Sequence, residues 1–461
     1  MKKRTPLRGL SGRCVVSVFF FLLLSVLSAF GQDIEPFPEF SSQDKVLILA
    51  PHPDDEAIAA SGVIQDCVRR GIPVKIVYFT NGDNNELSFI VYEKRIVFKK
   101  KAFVSMGELR RKEALNAMKY LGLKEEDLVF LGYPDFGTLE IFLKYWDAQR
   151  PFRSMLTRVT RVPYASSFSS GAPYVGQSIL GDLKRVLLSF EPTRILVSHP
   201  ADTNRDHRAL NLFLHIALWD LKEKIATPQV YPYLVHVVGW PMPRGFRPAL
   251  KMEPPKVLDF PDSRWLNLKL SEQEVWTKRQ AISFYRSQIR YAPSYLYSFA
   301  RGNELFGNYP AVRLARQPGS LRWQDVRMEP DAGCEGAAKT QTCRLSYALD
   351  GDDLLVRLAL RNKFKKNFGI FLYLCGYSPR AEFAGMPKIR ISIGMRGVHV
   401  WDKLRRVQTK DVKASYEGHS LIVRVPLRLL GEPDRVLARV KASTKDLPFD
   451  NTAWHCLLLE E

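Results

Sequence analysis

Short apolar runs alternate with segments of helical period through the first two thirds of the chain. KVLILA (45–50) and VKIVYFT (74–80) are unbroken apolar stretches of strand length, and EAIAASGVIQDCVRRG between them has the length and period of a helix. Together they make a βαβ unit, which requires a parallel sheet and a right-handed crossover. A basic stretch around RIVFKKKAF leads into a second helix, GELRRKEALNAMKYLG, and then a strand, DLVFLGYPD. From Gly137 to about Gln177 no period holds, which predicts a long loop that either shapes a binding site or lies disordered. The alternation then resumes. SILGDLKRVLLSFEP is a helix, RILVSHP a buried strand, DHRALNLFLHIALWDLKEK a strongly periodic helix and YLVHVVGW another strand. SEQEVWTKRQAISFYRSQI opens on a capping box at Ser271 and Glu274. Residues 42–310 are therefore expected to form an α/β domain, a Rossmann-like, mostly parallel sheet with helices on both faces.

Beyond Gln317-Pro318-Gly319-Ser320 the texture changes. DLLVRLALRN, GIFLYLCGY, KIRISIGM, GVHVWDK, HSLIVRVPL and RVLARVKAS are short alternating segments separated by turn residues. That spacing predicts an antiparallel β-sandwich over residues 321–461. Two domains also suit a chain of 461 residues.

The first residues break the pattern. Lys2, Lys3, Arg4, Arg8 and Arg13 precede the apolar run VVSVFFFLLLSVLSAF, which ends near Ala29-Phe30-Gly31. A basic head, a short apolar middle and a small-residue exit are the marks of a secretory signal at residues 1–31, with an uncleaved anchor as the alternative. The expected destination is the periplasm, the cell envelope or the exterior. The formal charge is +20, and loss of the five basic residues of the signal leaves about +15. Such a surplus favours anionic partners, an envelope polymer or a glycolipid, with peripheral membrane contact; a basic surface kept for solubility is the alternative. Export argues against nucleic acid. Cys334 and Cys343 bracket a polar stretch that a disulfide can close, Cys375 and Cys456 are candidates for a second bridge, and Cys67 reads as a buried thiol.

Chemistry concentrates at two strand-to-helix turns. The first strand runs into His52-Pro53-Asp54-Asp55-Glu56, at the carboxyl edge of the sheet where ligands bind in open α/β folds. Acids behind a proline suit a helix start by themselves, but a helix start has no use for His52. The second cluster, SHPADTNRDHRAL (198–210), also follows a buried strand and opens a helix. Thr203 and Asp206 can cap that helix. His207 shares a stripe with Leu210, Leu214, Ala217 and Leu221, the face turned to the sheet, and so points toward HPDDE. His52, Asp55 and His207, two imidazoles and one carboxylate with a fourth position open, are a standard catalytic zinc set. Asp54, adjacent but not a ligand, is the candidate general base. Glu56 is assigned a supporting or capping role, and Asp206 either orients a histidine or caps its helix.

These residues resemble the PIG-L/LmbE-like zinc-dependent de-N-acetylases. The resemblance covers about residues 42–310 and rests on strand-PHPDDE-helix, RRKEALNAMKYLG, the strand ending in Pro134-Asp135, and DTNRDHRA. It implies Zn2+ on His52, Asp55 and His207, Asp54 as base, Arg110 as a substrate contact, and an N-acetylglucosamine-type sugar or glycan as substrate. For Arg110 a surface salt bridge is the competing reading. The family's second motif carries a histidine that stabilises the oxyanion where this chain has Asn204; an amide can donate there but supplies no proton. His199 or His236 can stand in, although His236 also reads as a core residue, and His215 is structural. The expected function is zinc-dependent removal of acetyl from an N-acetylated sugar. The alternatives are a catalytically impaired glycan- or zinc-binding protein and a zinc amidase acting on a non-sugar amide. The C-terminal sandwich loosely resembles carbohydrate-binding modules. Trp323, Trp401 and Trp454 can stack on sugar rings or serve as core.

Overall fold

The computed structural model describes residues 34–84, 100–258, 263–316, 321–326, 342–360, 368–444 and 447–460. The proposed signal, residues 1–31, and Cys334 lie outside them. Among the described residues no helix is long and apolar enough to cross a membrane.

The alternation of the first two thirds becomes one sheet. Its strands are β1 (Ile34–Pro36), β2 (Val46–Ala50), β3 (Val74–Thr80), β4 (Leu128–Tyr133), β5 (Arg194–Ser198), β6 (Gln229–Tyr233), β7 (Trp265–Lys269) and β8 (Asn303–Gly307), in the order β1-β7-β8-β6-β5-β2-β3-β4. Every pairing is parallel except those of β8 with β6 and β7. Because side chains alternate across a strand, β2 feeds two cores. Val46, Ile48 and Ala50 pack with α1 (Asp55–Arg70) and α2 (Lys100–Tyr120). Leu47 and Leu49 pack on the other face with α4 (Gly176–Phe190) and α5 (Arg205–Asp220). The helix between these pairs in sequence, α3 (Thr138–Lys144), lies inside the stretch expected to be loop. Two turns hold too few residues to display a period, and α3 is stabilised by burying Leu139, Ile141 and Phe142 against α5.

A second difference concerns YLVHVVGW. Regular pairing with β5 ends at Ser198↔Tyr233, and from Leu234 the chain leaves the sheet. The backbone donors of Val235 and His236 go instead to the Asp202 carboxylate, at 3.1 and 2.9 Å. The capping box of α6 (Glu272–Ile282) is formed as expected. Two short helical turns follow, α7 (Arg286–Ile289) and α8 (Pro293–Leu296).

The C-terminal third forms two packed sheets. One contains β10 (Gln324–Val326), β11 (Thr342–Asp350), β12 (Asp353–Leu360), β17 (Lys413–Glu417) and β18 (Ser420–Pro426). The other contains β9 (Val312–Ala315), β13 (Phe368–Tyr377), β14 (Lys388–Gly394), β15 (Gly397–Asp402), β16 (Arg405–Val407), β19 (Arg435–Thr444) and β21 (His455–Glu460), with β20 (Leu447–Asn451) paired to β19. Pairings are antiparallel apart from β9 with β21. Alternate residues such as Leu354, Val356, Leu372, Ile391, Val423 and Val440 meet between the sheets.

The sandwich is fused to the α/β layer. Tyr377, Phe383, Met386 and Trp454 belong to the same apolar cluster as Phe142, Trp146 and Phe213. Lys388 is buried in this seam, its Nζ 3.8 Å from the Phe383 ring centre and 4.7 Å from that of Trp146. Trp454 is thus seam packing and not a sugar platform. Trp323 and Trp401 each lie under an arginine, Arg357 and Arg390 respectively, at 4.3 Å. Cys375 and Cys456 are free thiols. Both are in register with Leu437 from opposite sides, two strand spacings or about 9.5 Å apart, beyond the reach of a disulfide.

Candidate metal centre

The apolar run of β2 ends at the carboxyl edge of the sheet, between β3 and β5, and the next residues carry the first half of the site. His52 is buried, and its Nδ1 lies 3.2 Å from Asp55 Oδ2. Asp55 opens α1 but its carboxylate faces inward. The same Oδ2 stands 3.1 Å from Nε2 of His207, a fully buried residue in the first turn of α5. Ligand atoms about 2.0–2.1 Å from a shared tetrahedral ion stand roughly 3.3 Å from one another, which matches these contacts. Ligand atoms of His52, Asp55 and His207 lie within 4.8 Å of one another.

The surroundings also suit a cation. His207 Nδ1 faces Asp202 Oδ2 at 3.1 Å, yet neither of its ring nitrogens has an aligned hydrogen bond. His52 Nε2 lies 3.1 Å from Asp135 Oδ1 and 3.4 Å from Asp206 Oδ2. Burial opposes protonation of both imidazoles, but the carboxylates outweigh it: Asp202 and Asp55 raise His207 to about 9, and Asp135, Asp206 and Asp55 raise His52 well above its ordinary value. Burial likewise opposes ionisation of Asp55, and the two histidines nevertheless hold its pKa well below normal. Four buried carboxylates around two imidazoles make a site whose donor set fits a divalent cation.

Asp54 is the residue beside the ligands. It occupies the N-cap position of α1 at φ 131°, and its side chain makes no cap bond. A non-glycine residue in that region is strained, and such strain gathers at functional sites. Its N–H donates to Glu56 Oε2 at 3.1 Å, and Glu56 in turn accepts the Tyr285 hydroxyl. Glu56 therefore supports Asp54. Burial pushes the Asp54 pKa up to about 7, with Arg110 opposing.

Arg110 is buried, which overturns the surface-salt-bridge reading. It donates to Gly82 O at 3.1 Å and Pro53 O at 2.8 Å, and its Nη2 lies 3.4 Å from Asp54 Oδ2. Gly82 sits at φ 66°, and a Cβ there would fall 1.9 Å from Arg110 Nη1, so a side chain at this position would be strained and would displace the guanidinium.

Asn204 is the N-cap of α5, its Oδ1 accepting from Asp206 N at 2.8 Å. Thr203 does not cap; its hydroxyl donates to His236 O. The Asp206 carboxylate accepts from Phe136 N and from the backbone and hydroxyl of Thr138 at the start of α3, and so orients His52. His52, Asp54, Asp55, Arg110, Asn204 and His236 all line one cleft of about 460 Å³. His199 does not line it. Its Nδ1 accepts from Ala201 N and its ring stacks on Trp265.

Residues 47–218 match the family described as PIG-L: GlcNAc-PI de-N-acetylase. A Bacillus cereus relative, named a probable N-acetyl-alpha-D-glucosaminyl L-malate deacetylase 2, is 34% identical over 91 residues, which are 20% of this chain and 37% of that protein. Among solved structures, N,N'-diacetylchitobiose deacetylase from Pyrococcus horikoshii is 18% identical, with 54% of this chain and 74% of that one covered and a TM-score of 0.32. GalB, the 4-carboxy-2-hydroxymuconate hydratase from Pseudomonas putida, is also 18% identical, with coverages of 58% and 98% and a TM-score of 0.33. These structural likenesses concern the fold alone.

Two supporting residues of the matched segment have no assigned role in the sequence reading. Asp135, at the end of β4, appears there only as part of the strand, and its carboxylate holds His52. Asp202 orients His207 with its side chain and fixes His236 through that residue's backbone. Both sit within motifs that signal the family, but neither spacing states which nitrogen the carboxylate meets.

Proposed function

We propose that the chain is an exported zinc-dependent hydrolase that removes acetyl from an N-acetylated sugar of the N-acetylglucosamine type. The observation that carries this reading is the convergence of His52, Asp55 and the fully buried His207 on one point, with Asp54 beside His52 and Asp55 in the cleft. The family description and the deacetylase name of the Bacillus relative support it. Export rests on the first 31 residues of the sequence, and an acidic envelope glycan suits the basic charge.

Zinc held by His52, Asp55 and His207 would supply Lewis acidity for the acetamide carbonyl and for a water molecule. Asp54 accepts the proton of the attacking water, and Arg110, locked by two carbonyls, holds that carboxylate in place. As the water oxygen bonds to the acetyl carbon, the carbonyl oxygen gains charge. Asn204 and His236 line the cleft as donors for it. The C–N bond then breaks, Asp54 returns its proton to the amine, and acetate leaves. Asp135, Asp206 and Asp202 keep the imidazoles aligned throughout.

The second reading, a binding protein without turnover, is favoured by one observation. Asn204 stands in place of the histidine of the resembled family, and its Oδ1 is committed to capping α5. Metal content and acetate release from N-acetylglucosamine oligomers separate the two. For the enzyme, Asp54→Asn keeps the metal and lowers kcat by about 10²–10⁴, whereas His207→Ala loses both. Bound zinc with no acetate released from any N-acetylated sugar would establish the second reading, and equal metal loss in the two variants would reverse the roles of base and ligand.

A further inference from the structure

The outward face of the sheet that carries β13 to β16 has an unusual composition. Ile370, Leu372, Leu374, Ile389, Ile391, Ile393 and Val400 point into the sandwich, so their alternate neighbours face away. Strand register then sets Arg439, Tyr373, Arg390, Trp401 and Arg406 side by side across five strands, β19-β13-β14-β15-β16. At about 4.8 Å per strand the row is roughly 19 Å long. Cations and aromatic rings alternate along it. The parallel row beside it holds Lys441, Phe371, Ser392 and His399. Neither row contains a carboxylate.

The other outward face of the same sandwich is built differently. There Arg424 pairs with Asp350 at 2.6 Å and Asp353 at 2.7 Å, and Arg344 and Arg357 pair with Asp325. Among the described residues, Arg390 and Arg406 have no carboxylate within 4.0 Å. Arg390 lies over Trp401 at 4.3 Å, and Arg406 donates to His399 Nδ1 at 2.9 Å. Arg406 is exposed, and Arg390, Trp401 and Tyr373 are half-buried. Arg439, at the buried end of the row, donates to Thr452 O beside the Trp454 ring, so the cations that this face leaves without a carboxylate partner are Arg390 and Arg406.

We propose that this face binds an acidic polysaccharide, with anionic groups of the polymer on Arg390 and Arg406 and sugar rings against Trp401 and Tyr373. Alternating charge and ring along a line suits a polymer that carries both along its length. A membrane surface suits it less. The exposed apolar side chains of this hairpin, Met395 and Leu404, sit in turns at opposite ends of β15, about 20 Å apart, and form no common wedge. The proposal stands independently of catalysis, since the row is remote in sequence from every residue of the metal centre.

The test is binding of the full chain to polygalacturonate, which bears a carboxylate on each sugar and no acetamide, and to its methyl ester, which has the same backbone without the charge. Vesicles of phosphatidylglycerol serve as the membrane probe. We expect salt-sensitive binding to polygalacturonate, little to the ester, and a loss of about tenfold or more in the Arg390→Ser/Arg406→Ser double variant and in Trp401→Ala. Arg406→Glu, a change at a fully solvated edge position, provides the same readout if the half-buried positions disturb folding. Equal affinity for the ester, binding unaltered by Arg406→Glu in a folded protein, or binding to vesicles alone overturns the proposal.

Discussion

Asp202 shows how much one side chain organises here. Its carboxylate accepts from Asn204 N, Val235 N and His236 N and faces His207 Nδ1. Burial opposes its ionisation, but His207 and His236 together with these donors hold its pKa at about 2. Its charge therefore persists well into the acid range and faces the His207 ring. Asp202→Asn preserves shape and an acceptor oxygen but removes the charge. The expected result is a 10–100-fold weaker hold on zinc, roughly the effect of removing a carboxylate behind a ligand histidine, measured by competition with a chelator. Unchanged zinc affinity in a folded Asp202→Asn protein would remove Asp202 from the site. The sequence motif DTNRDHRA contains this residue, but nothing in the spacing tells an acid that braces a histidine from one that caps a helix. Asp206 had the capping signature and braces His52 instead, while Asn204 caps.

At the scale of elements, legibility followed length and autonomy. Helices such as α1, α4 and α5 bury one face over several turns, so their periodicity appears in the sequence. The α6 start was legible because its capping box is local: Ser271 Oγ accepts from Glu274 N at 3.3 Å, and the Glu274 carboxylate accepts from Ser271 N at 2.8 Å. Ser271→Ala is expected to cost about 1 kcal/mol, read as a lower urea midpoint with unaltered metal content. No loss of stability would mean that the cap is redundant with the packing of α6 on α1. Two features were not legible. The helix α3 is too short to declare itself, and β6 ends at Tyr233, the residue that pairs with Phe306 of the antiparallel β8 on its other edge. In YLVHVVGW the alternation reads as strand, yet the backbone donors after Tyr233 are claimed by an acid from another loop.

For the whole molecule, acid stability follows from buried histidines that do not line the candidate metal cleft. Burial depresses His199 and His455 from 6.5 to about 4. His199 must remain neutral to accept from Ala201 N, and His455 packs against Tyr309 at 2.9 Å. In the unfolded chain both take up protons near pH 6.5, so the unfolded state binds more protons between the two values. The stability they contribute is full above about pH 6.5 and is lost as pH falls toward 4. Urea midpoints measured across this window should decline with falling pH, and His455→Gln should flatten the slope. A pH-independent midpoint would contradict the burial of these rings. The seam around Phe142, Trp146, Phe383 and Trp454 makes the sandwich part of the same folded unit as the α/β layer, and separate unfolding of the two is not expected.

The sequence by itself determined the α/β character, the two strand-to-helix turns and the identity of the residues at them, because local period, capping and the strand-edge rule depend on neighbours within a few positions. The alternation that predicts a sandwich is of the same kind. Only the tertiary structure decided which carboxylate meets which imidazole nitrogen, that Arg110 is buried behind Asp54, that His236 and not His199 faces the cleft, and that arginines from separate strands line up beside Trp401. Those relations join residues distant in the chain, and their geometry is set by strand register and packing, which no local pattern encodes.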